Sequence, residues 1–114
     1  MYKTATERTV AAAKRYLEMR GYEVLDELER GGTPVLVADD GGERVFVDVR
    51  FSFDGMPHPR FDREAFEEMA GAYVAEHDVA DCTVRADSIA MMVVADNRAF
   101  LKHTVNWSNG PEAA

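Results

Sequence analysis

The chain has 114 residues, of which 46% are hydrophobic and 30% charged, a composition that suits one soluble globular domain. The net charge is −8, so the chain as a whole has no attraction for polyanions such as nucleic acid. No stretch approaches the roughly 18 consecutive apolar residues of a membrane-spanning helix, and the N-terminus lacks the apolar core of an export signal. The single cysteine, Cys82, cannot pair within the chain, and a cytoplasmic location fits.

The charge is unevenly distributed along the chain. Residues 1–20 carry a local charge of +3, and the remainder carries −11. Lys14 and Arg15 lie in this basic segment and are therefore the candidate nucleic-acid contacts, although the overall charge argues against tight binding. The alternative is that these side chains only solvate one face of a helix, which is the commoner role of surface charges.

The first predicted element is a helix over residues 6–20. Thr4 followed by Glu7 is typical of a capping box at its beginning, and Gly21 is suited to end it. Residues 22–30 then predict the first strand, with less regular alternation than the strands that follow.

The next segment predicts a hairpin. Residues 33–38 read as a strand in which Pro34 fits only near the beginning, because proline cannot donate to a sheet ladder. The sequence DDGG at 39–42 is typical of a tight turn, and residues 44–50 form the returning strand. The glycine and prolines of residues 51–60 indicate a loop.

A second helix is predicted over residues 62–77, where apolar side chains recur at helical spacing. Residues 82–95 read as one long strand or two short ones, followed by a turn at 96–97. Residues 99–107 read as a final strand or a short helix.

The order α-β-β-β-α-β-β predicts an α/β (α+β) fold. Two helices flank a mixed sheet, and the hairpin of residues 33–50 lies near its centre. We expect a single domain over residues 1–108 and a disordered tail at 109–114.

The third strand places an acid and a base on the same face. Asp48 and Arg50 share that face with Phe46, whereas the valines between them point the other way. The valine face is suited to burial. The other face carries either the remnant of a catalytic site or a salt bridge on a half-covered strand.

Three segments together resemble the bacterial YraN-type family. AAAKRYLEMRGYEVL resembles the family's first helix and its Gly-Tyr entry into the first strand. TPVLVADDGGERVFVDVR resembles its central hairpin, and VRADSIAMMVV resembles a later strand. The resemblance covers residues 9–107 with short gaps.

The resemblance implies a restriction-endonuclease-like fold, similar to Holliday-junction resolvases and related to the tRNA-endonuclease-like nucleases. Such enzymes hold Mg²⁺ with carboxylates and cleave phosphodiester bonds. In the family an Asp and a Glu on the hairpin, a Glu in the first helix and a Lys two residues beyond the hairpin Glu form the site. Mg²⁺ prefers such oxygen ligands, and a nearby cation stabilises developing charge.

Position by position, this chain departs from that pattern. The hairpin Asp falls at Val35 and the helix Glu at Val10, while the second hairpin acid is Asp48 and the Lys is Arg50. A lone carboxylate holds Mg²⁺ weakly, and arginine does not release a proton. The resemblance therefore implies a pseudoenzyme with no cofactor, in which Asp48 and Arg50 are vestigial. If the two valines face each other, they close the former metal site.

Three functions are compatible with these residues. The first is a nucleic-acid-binding module with a degenerate nuclease fold. The second is a protein-interaction or structural module that binds a basic protein or dimerises through an edge strand. The third is a residual Mg²⁺-dependent nuclease in which Glu7, Asp39 or Asp40 joins Asp48 as a metal ligand.

The remaining candidate side chains predict no further site. His58, His77 and His103 lack metal-ligand spacing and are expected at the surface. Cys82 is expected to be a buried, inert thiol. Trp107 either covers the core or contacts a partner, and its exposure distinguishes the two.

Overall fold

A computed structural model describes residues 4–77, 83–95 and 98–107. Two helices lie on opposite faces of a five-stranded sheet whose strands follow one another in chain order. In sequence, the elements are α1 (Ala5–Met19), β1 (Glu23–Arg30), β2 (Thr33–Asp40), β3 (Glu43–Ser52), α2 (Arg63–His77), β4 (Val84–Ala95) and β5 (Arg98–Thr104). The predicted element order and the mixed sheet are confirmed.

Strand direction follows from the connections. The pairs β1–β2 and β2–β3, which are joined by direct turns, are antiparallel, and β4 also pairs with β5 in antiparallel direction. The pair β3–β4 is parallel, because the chain crosses over through α2 between them. The hairpin of β2 and β3 therefore occupies the middle of the sheet, as predicted. This architecture is compatible with an α/β nuclease-like fold.

The predicted helix signals act as expected. The Glu7 amide donates to Thr4 Oγ1 at 3.1 Å, and the Thr4 amide donates to Glu7 Oε1 at 2.8 Å, which completes the capping box of α1. Gly21 follows the helix with a φ of 91°, which favours glycine. At α2, the Ala65 amide donates to Asp62 Oδ1 at 3.0 Å, so Asp62 caps the helix.

The sheet separates two apolar clusters. On one face, Val10, Ala13 and Leu17 of α1 cover the valines of β3. On the other face, Ala70 and Tyr73 of α2 cover Val35 and Val37 of β2 and Phe46 of β3. Successive apolar side chains of β2 and β3 therefore point alternately toward α1 and toward α2.

The end of the chain resolves the alternatives left open by the sequence. Residues 84–95 form one long strand, and residues 98–104 form a strand, not a short helix. The predicted turn at 96–97, Cys82 and the tail lie outside the described residues. In the described part of the chain, neither helix combines the length and hydrophobicity needed to cross a membrane.

Candidate functional site

Asp48 and Arg50 lie together on the face of β3 that α2 partly covers. The Arg50 Nε donates to Asp48 Oδ1 at 2.9 Å, and its Nη2 reaches Oδ2 at 3.4 Å. The Asp48 side chain is 16% exposed and that of Arg50 is 42% exposed. Both carboxylate oxygens therefore face a guanidinium group at the edge of solvent.

The strands on either side of Asp48 contribute no carboxylate beside it. Val35 of β2 is its direct register partner on one side, and Ser88 of β4 is its partner on the other. Mg²⁺ is held in proteins by carboxylates in octahedral geometry, and Asp48 is already bonded to Arg50. The residues at this position do not fit a magnesium ion.

The proposed replacement acids lie elsewhere. Glu7 caps α1, which packs on the opposite face of the sheet. Asp40 binds Arg85 at 3.0 Å. Asp39 is four residues along β2 from Val35, about 13 Å at the usual strand rise. Among the described residues, no group of three or more His, Cys, Asp and Glu side chains is arranged to hold a metal.

Val10 and Val35 do not meet. Val10 packs with the apolar cluster beneath α1, and Val35 packs with Phe46 beneath α2. The condition under which these two valines would close one former metal site is therefore not met, because the sheet separates them. Val35 alone adjoins Asp48.

A small pocket lies over the Asp48–Arg50 pair. Its volume is about 60 Å³, room for a few water molecules or a phosphate group. Three cationic side chains and four aromatic rings are among its lining residues: Arg30, Arg50, Arg60, Phe46, Phe61, Phe66 and Trp107. The acids at the pocket are Asp48 and Asp62, and Arg30 lies 4.0 Å from Asp62. The pocket thus combines guanidinium groups with apolar walls.

Trp107 closes one side of this pocket. It is 8% exposed, and its ring meets that of Phe61 edge to face with centroids 5.3 Å apart. Of the two alternatives for this residue, its burial favours a cover over the core.

The two candidate nucleic-acid contacts point in different directions. Lys14 Nζ lies 3.0 Å from Glu27 Oε1 on β1. Arg15, the next residue, lines a groove between α1 and the β4–β5 hairpin. Lys14 also lines a concave surface, but that surface includes the acids Glu18, Asp26 and Glu27. Of the two residues, only Arg15 therefore lies beside a groove whose described lining residues include no acid.

Sequence reasoning missed a buried polar network on the α1 face. Asp87 is fully buried and accepts from four partners: Arg85 Nε at 2.9 Å, the Asn106 amide at 2.9 Å, Tyr22 Oη at 3.0 Å and His103 Nε2 at 2.8 Å. Burial alone would raise the pKa of Asp87, but the bonds from His103, Arg85 and Asn106 outweigh it and lower the pKa to about 2.

The network extends to the β2–β3 turn and to Tyr22 at the entry to β1. Arg85 reaches Asp40 and Glu43 at 3.0 Å each, and it donates to Tyr22 Oη at 2.7 Å. Burial and then the Asp87 charge raise the pKa of Tyr22 to about 12, so the phenol stays protonated. The network ties β1, β4 and the β2–β3 turn into one unit.

His103 contradicts the expectation that all three histidines lie at the surface. Its side chain is 4% exposed, and its Nδ1 lies 3.1 Å from Tyr16 Oη. His58 and His77 are exposed as expected. One feature of the sequence could have indicated the Asp87 network. Arg85 and Asp87 are two residues apart on a strand, as Asp48 and Arg50 are.

The fold and the Asp48 site define an α/β protein with a five-stranded mixed sheet, in which an acid of the central strand is paired with an arginine. No family model matches the chain. Two relatives do match, and both are called UPF0102 protein. That of Carboxydothermus hydrogenoformans is 31% identical over 102 residues, covering 82% of this chain and 86% of the relative. That of Beutenbergia cavernae is 32% identical over 99 residues, covering 80% and 84%. The chain belongs to the UPF0102 family, the YraN-type family of the residue pattern.

Proposed function

We propose that this UPF0102 protein is a catalytically degenerate, nuclease-like module that binds nucleic acid without metal-dependent hydrolysis. The observation that carries the proposal is the bond between Asp48 and Arg50 with Val35 directly opposite. The carboxylate that would hold a cation is neutralised by an arginine, and its neighbour across the hairpin supplies no oxygen.

A phosphate group suits the pocket that remains. Arg30, Arg50 and Arg60 all line it. Guanidinium groups bind phosphate oxygens through paired N–H donors, and they do so without a metal. Phosphate binding thus needs only the side chains already present.

The overall charge limits the affinity to be expected. A net charge of −8 repels a polyanion at long range, so binding depends on the local arginine-rich surfaces. Such binding weakens steeply as salt is added, because its free energy comes from the release of counterions. We expect weak affinity that is measurable at low ionic strength.

A cleavage assay tests the loss of hydrolysis. Branched, single-stranded and duplex DNA and an RNA are incubated with the purified protein and Mg²⁺ or Mn²⁺. We expect no cleavage above that of a buffer control. Cleavage by the wild-type protein that Asp48→Ala abolishes would overturn the proposal, because it would show that this carboxylate still supports the chemistry.

A binding assay tests the other half. Fluorescence anisotropy of labelled oligonucleotides is recorded over a salt series for the wild-type protein, Arg60→Glu and Lys14→Glu. Arg60 is exposed at the pocket, whereas Lys14 is paired with Glu27 on the opposite side of the sheet. We expect about a tenfold loss for Arg60→Glu and little change for Lys14→Glu. Equal affinity for all three proteins would remove the pocket from the proposal.

An acidic groove favours a second candidate function, binding of a basic protein partner. It lies between the edge strand β1 and α2, and its acids are Asp26, Glu29, Glu68 and Glu76. A labelled oligolysine peptide tests this function. If the peptide binds the wild-type protein, and Glu68→Lys weakens the binding whereas Glu67→Lys does not, the result supports it. Glu67 lies beside Glu68 on α2 but outside the groove, so it is the matched control.

A further inference from the structure

A second concave surface lies on the face of the sheet opposite the Asp48 pocket. We call it the arginine groove. It runs between α1 and the β4–β5 hairpin and encloses about 360 Å³, within the range of small-ligand sites. Its rim carries the three arginines Arg8, Arg15 and Arg98, and no acidic side chain is among the described residues that line it.

Helix α1 forms one wall of the arginine groove with a single stripe of side chains. Ala5, Arg8, Ala12 and Arg15 recur at intervals of three and four residues, which places them on one face of the helix. The alanines are too small to fill the space beside the sheet. The arginines above and below them carry positive charge along the opening.

The hairpin forms the floor and the other wall. Met91 and Val93 of β4 and Leu101 of β5 give an apolar floor, and Arg98 at the beginning of β5 contributes the third guanidinium group. Arg98 is more than 80 residues from Arg15 in sequence, so folding alone brings the two charges to one groove.

An exposed aromatic ring stands at the same groove. Phe53 is 63% exposed although it is a large apolar side chain. Its ring meets Phe51 edge to face with centroids 5.8 Å apart, and Phe51 packs against the buried cluster beneath α1. Phe53 is therefore held in place while most of its surface remains open to solvent.

We propose that the arginine groove binds a single strand of nucleic acid, with phosphates at Arg8, Arg15 and Arg98 and a base stacked on Phe53. This inference rests on the proposed function and names both its substrate class and a second contact surface. Arginines beside an accessible aromatic ring are the combination with which proteins hold unpaired strands.

The apolar floor decides between single-stranded and duplex ligands. An unpaired base can place its face on Phe53 and its edge over the floor, whereas the bases of a duplex are stacked inside it. A duplex would contact the arginines through its backbone alone. Single strands are therefore expected to bind more tightly than duplexes of the same length.

The closing experiment compares adjacent residues of one helix. Affinity for a labelled single-stranded oligothymidylate is measured for Arg15→Glu and Lys14→Glu, which make the same charge change one residue apart. We expect about a tenfold loss for Arg15→Glu and a salt slope shallower by about 0.7, the value for one lost phosphate contact on a single strand. We expect Lys14→Glu to match the wild-type protein.

The aromatic contact has a separate readout. Phe53→Ala is expected to lower affinity about tenfold without changing the salt slope, because stacking releases no counterions. An oligonucleotide that carries 5-iodouracil is expected to crosslink, on irradiation, to the peptide that contains Phe53.

The outcomes separate this inference from the proposed function. One result would overturn binding at the arginine groove and keep binding at the Asp48 pocket. In that result, Arg60→Glu weakens strand binding, Arg15→Glu and Lys14→Glu bind like the wild type, and Phe53 is not crosslinked. No binding of any oligonucleotide by the wild-type protein overturns both. Equal affinity for duplex and single strands also overturns the groove, as does preferential binding of an acidic peptide.

Discussion

Val35 lies directly opposite Asp48 in the antiparallel pairing of β2 with β3. Side chains in this relationship have Cβ atoms about 4.5–5.5 Å apart, close enough for two carboxylates to share one cation. Val35, together with the bond from Arg50 to Asp48, therefore determines whether this position of the hairpin can hold a metal, and a double substitution addresses that question.

A second acid at this position should create metal affinity. We expect Val35→Asp combined with Arg50→Lys to bind Mn²⁺, because Arg50 no longer holds both oxygens of Asp48. Without metal the variant should lose about 1–3 kcal/mol, since like charges oppose each other in a covered site. Thermal unfolding should then show a rise in Tm of about 5 °C when Mn²⁺ reaches ten times its Kd. Val35→Asn with Arg50→Lys is the matched control, and the same rise in it would contradict the prediction.

Asp48 and Asp87 each lie two residues from an arginine on a strand, but we expect them to contribute very differently to the free energy of unfolding. Asp48→Asn is expected to lower the free energy of unfolding by about 0–1 kcal/mol, because its pair with Arg50 is partly solvated. Asp87→Asn is expected to cost about 3–5 kcal/mol, because it removes the fully buried carboxylate that accepts from Arg85, Tyr22, His103 and the Asn106 amide. Urea unfolding measures both. Similar losses for the two variants would show that burial does not distinguish the pairs.

The Asp87 network predicts a specific acid sensitivity. The pKa of Asp87 is about 2 in the folded chain, below its ordinary value of 3.8. Its contribution to the free energy of unfolding is therefore fully present above about pH 3.8 and is lost as the pH falls through 2. The difference corresponds to roughly 2 kcal/mol. Urea unfolding of the wild-type protein and Asp48→Asn at pH 7 and at a series of values down to about pH 1.5 follows this loss. We expect the free energy of unfolding of both proteins to fall by the same amount as the pH is lowered. If Asp48→Asn is markedly less sensitive to acid than the wild-type protein, Asp48 and not Asp87 causes the effect, which contradicts the prediction.

Trp107 should report on the arginine-lined pocket. It is the only tryptophan in the chain, and it is buried beside Phe61. We expect blue-shifted emission and poor quenching by iodide in the folded protein. Trp107→Phe should lower stability by less than about 2 kcal/mol and Trp107→Ala by about 3–5 kcal/mol, because the smaller side chain leaves a cavity. Emission typical of an exposed indole would contradict this placement.

The sequence predicted those features that depend on local spacing. The capping box of Thr4 and Glu7, the turn at 39–42 and the shared face of Asp48 and Arg50 each involve residues close together in the chain. These signals, taken in order, were sufficient for the sequence of elements and the central position of the hairpin.

The features that were missed depend on distant parts of the chain. Asp87 meets Tyr22 across 65 positions, and Arg15 shares a groove with Arg98. Likewise, the order of residues left open whether Val10 and Val35 face each other, and only the fold places them on opposite faces of the sheet. A histidine without ligand spacing is usually exposed, and only the fold places His103 against Asp87.

The parallel pairing of β3 with β4 also constrains how the chain folds. The strands β1 to β3 form a meander and β4 with β5 forms a hairpin, so each unit assembles from contacts between neighbours in sequence. Their union requires a long loop to close before its contacts compensate the lost entropy. We therefore expect the pairing of β3 with β4 to limit the folding rate. Substitutions between these two strands should slow folding more than substitutions in the β1–β2 or β2–β3 turn.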